Sequence, residues 1–155
     1  MDTAIKLLVL DVDGVMTDGG MYYTESGDQF KKFNSKDGVG IKLVLRKGIR
    51  VAFLSSGTNA RIINDRAATL GVQLVHCGPE DKLGILSGWC KEFGVHLDEV
   101  AYIGDDINDQ ECINAVGLSA CPADAVEAIR SRVHVVLANR GGEACVREFI
   151  DSNLL

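Results

Sequence analysis

The stretch Leu7-Leu8-Val9-Leu10-Asp11-Val12-Asp13-Gly14 decides the fold. Its four consecutive apolar residues have the continuity of a strand buried on both faces, the kind that belongs to a parallel sheet covered by helices. Asp11 and Asp13 share a face in an extended chain, while Val12 points the other way. Two carboxylates that close repel each other unless a cation lies between them. Gly14 then frees the backbone to turn and to bring N–H groups near an anion. Such a strand end suits a metal and a phosphate, although a lone pair of this kind also occurs as an inert acidic turn.

Working outward, a second apolar strand at Val100-Ala101-Tyr102-Ile103 again ends in Gly and paired acids, Gly104-Asp105-Asp106-Ile107-Asn108-Asp109. Between the two, Val51-Ala52-Phe53-Leu54 leads into Ser55-Ser56-Gly57, and Asp81-Lys82-Leu83 opens an amphipathic stretch. Apolar runs alternate with helix-period segments along the chain, which predicts parallel strands joined by helical crossovers. Strands are expected near 5–10, 51–55, 72–76, 100–103, 116–119 and 133–137. Helices are expected near 36–47, 59–70, 81–93, 108–115, 123–131 and 142–153, with Gly48, Gly71 and Gly94 as C-terminal caps. The predicted architecture is one α/β domain over residues 1–155. Its doubly wound, Rossmann-like parallel sheet would hold the site at the strands' carboxyl ends.

Residues 20–34 depart from the alternation and read as a β-hairpin, Met21-Tyr22-Tyr23-Thr24 against Gln29-Phe30-Lys31-Lys32-Phe33. Tyr22, Tyr23, Phe30 and Phe33 cannot all share one face of a two-stranded ribbon, and an isolated hairpin is barely stable. A neighbouring subunit is the expected cover for its second face.

The ordered set D-x-D-G, strand-end Ser, Lys and G-D-D-x-x-D resembles the haloacid dehalogenase superfamily of aspartate-nucleophile phosphohydrolases. Phe33-Asn34-Ser35-Lys36-Asp37-Gly38-Val39-Gly40-Ile41, Val116-Gly117-Leu118-Ser119 and Gly141-Gly142 ahead of Val146-Arg147-Glu148 extend the resemblance over nearly the whole chain. They are similar to the small, capless branch. That branch holds the 3-deoxy-D-manno-octulosonate 8-phosphate phosphatases, the nonulosonate 9-phosphate phosphatases of sialic acid metabolism and the C-terminal domains of some acylneuraminate cytidylyltransferases.

The resemblance implies a Mg²⁺-dependent phosphatase acting on a small sugar-acid phosphate, as in lipopolysaccharide precursor synthesis, with Asp11 as nucleophile and Asp13 as general acid and base. Asp11 and Asp105 are the first expected metal ligands, joined by Asp13 through its main-chain carbonyl, with Asp106 binding the metal through water or orienting the site. Asp109 reads equally as a site residue or as a helix-start acid. Lys82, a point charge at an unfavourable helix start, would hold phosphoryl oxygens. Ser55 is favoured over Ser56 as the phosphate donor, with Gly57 and Gly14 supplying room and N–H groups. Asp37 and Gly38 are candidate substrate contacts, since Gly38 and Gly40 in one helical turn cost up to about 1 kcal/mol each and suggest close approach of a ligand or another chain. Arg140 is a candidate for a substrate carboxylate. Homotetramers in which the hairpin of one subunit covers its neighbour's site are what the branch implies. Its cytidylyltransferase-associated members make a non-catalytic tetramerisation module the rival reading.

Composition agrees with an ordinary globular protein: 155 residues, 46% hydrophobic and 25% charged, enough for one sizeable core. A net charge of −6 argues against nucleic-acid or anionic-membrane partners. The five cysteines show no C-x-x-C spacing and read as free thiols of a reducing cytoplasm. The apolar run before Asp11 is too short for a signal peptide, and no segment reaches the ~20 apolar residues of a membrane span.

Overall fold

A computed structural model describes residues 4–155; Met1–Thr3, at the edge of the expected 1–155 domain, lie outside the described residues. Six strands, β1 (Leu7–Leu10), β4 (Arg50–Ser55), β5 (Leu74–Cys77), β6 (Val100–Ile103), β7 (Leu118–Cys121) and β8 (Val135–Val136), form one parallel sheet in the order β5-β4-β1-β6-β7-β8. The remaining two, β2 (Tyr22–Tyr23) and β3 (Gln29–Phe30), pair antiparallel as the hairpin. After β5 the chain returns past β1 to lay down β6 on its other side. The order therefore reverses between β1 and β6, and the crevice that such a reversal opens lies beyond their carboxyl ends.

Side-chain alternation splits the core into two halves. Leu8, Leu10, Phe53 and Ile103 face α1 (Ser35–Arg46), α2 (Ala60–Leu70) and α6 (Cys145–Asn153), represented by Ile41, Ile63 and Phe149. Leu7, Val9, Leu54 and Tyr102 face α3 (Lys82–Phe93), α4 (Gln110–Ala115) and α5 (Glu127–Arg130), through Leu86, Ile113 and Ile129. With helices on both faces, the central strands have no wet side, and all four residues of β1 and of β6 are buried. None of the described helices is long and apolar enough to cross a membrane.

The helix ends follow the local chemistry. Asn34 caps α1 by accepting from the Lys36 N–H, Asp81 caps α3 by accepting from the Gly84 N–H, and Gly71 and Gly94 end α2 and α3 in the left-handed region. The expected helices 123–131 and 142–153 shrink to Glu127–Arg130 and Cys145–Asn153. Turn residues Pro122-Ala123-Asp124 and the pair Gly141-Gly142 occupy the ground given up. Ideal side chains at Gly141 and Gly142 would lie 1.9 Å from the Gly14 carbonyl oxygen and 2.5 Å from the Asp18 nitrogen. That segment is thus a backbone-to-backbone seat beneath the β1 loop.

Gly38 and Gly40 are explained within the chain. A Cβ at Gly38 would stand 2.7 Å from the Arg66 guanidinium, and one at Gly40 would stand 3.0 Å from the Arg147 side chain. The close approach expected from these glycines is the packing of α1 on α2 and α6.

Candidate active site

β1 and β6 deliver their acids to the same point. The Asp11 N–H bonds the Ile103 carbonyl at 3.0 Å, extending the ladder past both strands, so the two acidic loops leave the sheet side by side. After Asp11 the backbone turns sharply: Gly14 sits at φ +88°, and the Thr17 N–H closes the loop on the Val12 carbonyl at 3.1 Å. A Cβ at Gly14 would lie 1.8 Å from Asp105 Oδ2, so a side chain here is excluded by the acid of the neighbouring strand as well as by φ. The Gly14 N–H is taken by Thr17 Oγ1 at 3.2 Å and does not face the cleft.

Asp11, Asp105 and Asp109 converge, with one carboxylate oxygen from each within 4.8 Å of the others. Their surroundings assign them different work. Asp109 is fully buried; its Oδ1 accepts from Lys82 Nζ at 2.7 Å and from the Tyr102 hydroxyl at 2.6 Å. Its Oδ2 accepts from the Asp105 and Asp106 N–H groups at 3.0 and 3.4 Å. Four donors fill the capacity of a carboxylate, so Asp109 holds Lys82 and the β6 loop in place and has nothing left for a cation. Asp11 is only half engaged. Its Oδ1 accepts from the Val12 N–H at 2.9 Å and from Lys82 Nζ at 3.1 Å, which fixes the plane of the group and leaves the second oxygen to the cleft.

The charges do not balance without an added cation. Burial, reinforced by the Asp109 charge and only partly opposed by Lys82, pushes the Asp11 carboxyl well above its ordinary range. Burial likewise pushes Asp105 up to about 6. Burial alone would lower Lys82, but Asp11 and Asp109 outweigh it and keep its ammonium charged. Two facing acids short of positive charge, on hard oxygen donors, fit a divalent ion such as Mg²⁺ held by Asp11 and Asp105. Asp13 and Asp106 stand differently. Asp13 directs its carboxylate to Lys31 Nζ at 2.6 Å, and Asp106 turns Oδ1 to the Ile107 N–H at 2.7 Å, capping the short helix that follows.

Above the acids lies a cleft of about 260 Å³, lined among others by Asp13, Gly19, Ser55, Gly57, Asp106 and Asn108. Ser55 ends β4, is buried, and accepts from the Gly57 N–H at 3.0 Å, which leaves its own O–H free to donate. Ser56 also lines the cleft, but its hydroxyl accepts from Asn108 at 3.1 Å and so ties the β4 and β6 loops together.

The remaining sequence candidates sit elsewhere. Asp37 is buried under α6, where its Oδ1 accepts from the Arg147 N–H at 2.9 Å and caps that helix from outside. Gly38 packs on Arg66, away from the cleft. Arg140 is turned to solvent and pairs loosely with Asp124 at 3.7 Å. Sequence reasoning overlooked Lys31, Tyr102 and Asn108. Tyr102 reads as one more apolar strand residue, and nothing local in the sequence announces that its hydroxyl meets an acid.

Known proteins are similar to this chain in sequence and in fold. The profile of haloacid dehalogenase-like hydrolases matches residues 80–149, from the Lys82 segment through the Asp105–Asp109 loop to α6. The 3-deoxy-D-manno-octulosonate 8-phosphate phosphatase of Escherichia coli K12 is 40% identical over 151 residues, which are 97% of this chain and 80% of that one. The crystal structure of the corresponding phosphatase from Yersinia pestis matches with a TM-score of 0.92 and 39% identity over 95% of this chain and 79% of that one. A third, the phosphatase from Moraxella catarrhalis in complex with magnesium ion, phosphate ion and KDO, matches with a TM-score of 0.91 and 32% identity, covering 96% and 84%. The chain therefore belongs to the haloacid dehalogenase-like hydrolases, in the same family as the 3-deoxy-D-manno-octulosonate 8-phosphate phosphatases.

Proposed function

We propose that this protein is a Mg²⁺-dependent phosphatase that hydrolyses a sugar-acid phosphate of the 3-deoxy-D-manno-octulosonate 8-phosphate type through an aspartyl-phosphate. The observation that carries the reading is Asp11: a buried carboxylate with one oxygen pinned by Lys82 and Val12 and the other open to a cleft. A phosphate monoester repels nucleophiles by its own charge, so its cleavage is mainly neutralisation and in-line positioning. When bound by Asp11 and Asp105, Mg²⁺ supplies the neutralising charge.

The protein's own groups do the rest. Asp11 attacks phosphorus and the ester oxygen leaves, taking a proton from Asp13. Asp13 then removes a proton from the water that releases phosphate. Ser55 donates to a phosphoryl oxygen, and the bare backbone at Gly57 lets the group come close. Lys82 keeps Asp11 oriented and adds fixed positive charge, itself held by Asp109.

Assembly and compartment are parts of the same reading. Met21, Tyr23 and Phe30 on the hairpin are more than half exposed, whereas Phe33 packs back on the chain's own core beneath Arg66. We assign the exposed set to contacts between copies in a homotetramer whose hairpins roof neighbouring clefts, which sedimentation equilibrium tests directly. Five free cysteines support a reducing, cytoplasmic setting.

The deciding experiment is a phosphate-release screen over sugar-acid phosphates of different chain length, with Asp11→Asn as control. Release from the octulosonate ester that vanishes in Asp11→Asn is the expected result. Preference for a nonulosonate 9-phosphate would reassign the substrate, and no release from any ester would defeat the enzyme reading.

A further inference from the structure

Lys31 follows β3 directly, and its ammonium donates to Asp13 Oδ1 at 2.6 Å across 18 residues of sequence. Its side chain is only 12% exposed, although the Asp13 side chain it meets is 38% exposed. A lysine normally keeps its charged head in water, so one withdrawn this far is held by its surroundings. Among the described residues, no other group donates to the Asp13 carboxylate.

The contact leaves the two oxygens of Asp13 unequal. Oδ1 belongs to Lys31. Oδ2 lies 3.4 Å from where a Cβ on Gly57 would stand, and so faces the Ser55–Gly57 side of the cleft. We propose that Lys31 is a positioning residue for the reaction: by holding Oδ1 it presents Oδ2 as the one oxygen that passes the proton to the leaving group, and thereby couples acid catalysis to the seating of the hairpin. This rests on the reading of Asp13 as general acid. In the step concerned, the Asp11 oxygen bonds to phosphorus, the phosphorus–ester oxygen bond breaks, and the Asp13 Oδ2 proton moves to that oxygen as it takes the bonding pair.

The hairpin is suited to such coupling. It has two residue pairs, Tyr22 with Phe30 and Tyr23 with Gln29, stiffened by the Tyr22–Phe30 ring stack at 4.9 Å. It is fastened to the body at its base by the Thr17–Phe33 bridge and along one edge by Asn59 to Gln29 at 3.4 Å and Lys32 to Glu143 at 3.1 Å. Lys31 is the fastening that ends on a reacting group.

The test uses leaving-group ability. Proton transfer matters for a basic sugar alkoxide and hardly for nitrophenolate, and kcat/KM reports the first phosphoryl transfer for both. General acid catalysis contributes 10²–10⁴-fold, so Lys31→Met should lower kcat/KM for the sugar-acid phosphate about 10- to 100-fold. The same variant should keep p-nitrophenyl phosphate within about threefold, and Lys31→Arg should recover most of the loss. In an Asp13→Asn background, adding Lys31→Met should change neither ester further, since the two act as a unit.

Equal losses on both esters in Lys31→Met, or no loss on either, would overturn the proposal, and Lys31→Gln, which also removes the ammonium, carries the comparison if Lys31→Met does not fold. An Asp13→Asn enzyme with no difference between esters would remove the general acid and the proposal together. A wild type inert toward both would instead defeat the phosphatase reading.

Discussion

Asp109 and Lys82 form a 2.7 Å ion pair sealed from water on both sides, with side chains 0% and 4% exposed. Such a pair is stable only where every other valence is met, and here it is: Tyr102 and two backbone N–H groups complete Asp109, and Asp11 completes the environment of Lys82. The pair therefore braces the site from below. It fixes the lysine that orients Asp11 and the loop that carries Asp105.

Replacing Asp109 by Asn puts an amide donor against donors and leaves Lys82 short of one negative charge. Breaking one side of a buried pair costs about 3–5 kcal/mol, and urea unfolding of Asp109→Asn should show a loss of that order. Asp11→Asn, which removes an acid already pushed up by burial, should leave stability equal or higher while abolishing phosphate release. Similar unfolding midpoints for the two variants would contradict this division of labour.

Gly14→Ala tests the cation site without replacing a ligand. The added methyl would stand 1.8 Å from Asp105 Oδ2 at a backbone angle of +88°, so the acid must swing away. Magnesium titration calorimetry of Gly14→Ala should show heat weakened at least tenfold in affinity, a difference of about 1.4 kcal/mol. Unchanged affinity would take Asp105 out of the ligand set.

Magnesium and pH should act on stability together. Asp105 titrates near 6 in the folded chain against an ordinary 3.8, so between those values the folded state binds the extra proton. Its contribution to stability is complete below about pH 4 and is lost as pH rises through 6; Asp11 moves in the same direction. Mg²⁺ needs both acids ionised and relieves the repulsion that appears at higher pH. At a hundredfold excess over its dissociation constant, Mg²⁺ should stabilise by about 2.7 kcal/mol at fixed pH. At a fixed magnesium concentration, the rise in melting temperature should be larger at pH 7.5 than at pH 5. A rise that is equal at both, or larger at pH 5, would rule out ionisable ligands of this kind.

The parts of this molecule that could be read from the sequence are those announced where an apolar run stops. Leu10 to Asp11, Ile103 to Asp105 and Leu54 to Ser55 are strand ends, and parallel strands in a doubly wound sheet all end at one crevice, so their last polar residues meet. Lys82 is legible for a related reason, since a cation at a helix start is out of place unless acids hold it. Side-to-side relations left no such mark. Asp37 reads as one more polar residue of a promising motif, yet it serves the backbone of α6, a partner 110 positions away. Lys31 and Lys32 are adjacent just past β3, and the alternation of an extended chain sends them to opposite sides; only the way the hairpin sits on the body gives Asp13 to the first and Glu143 to the second.

Asp37 offers the last prediction because it is an acid with half of its valence unmet. Oδ1 accepts from the Arg147 N–H, but among the described residues the buried Oδ2 has no partner, nor has the buried Arg66 Nε nearby. Burial pushes the Asp37 carboxyl up to about 6, so between pH 4 and 6 the folded state holds a proton that the unfolded chain has released. Stability from this residue is present at low pH and drains away as pH rises through 6. Asp37→Asn keeps the acceptor for α6 and removes the charge. It should therefore raise the melting temperature at pH 7.5 and lose that advantage by pH 4, while phosphate release stays unchanged because the residue lies outside the cleft. If the variant is instead less stable at pH 7.5, the ionised carboxylate is paired with Arg66 in solution and holds α1 and α2 together.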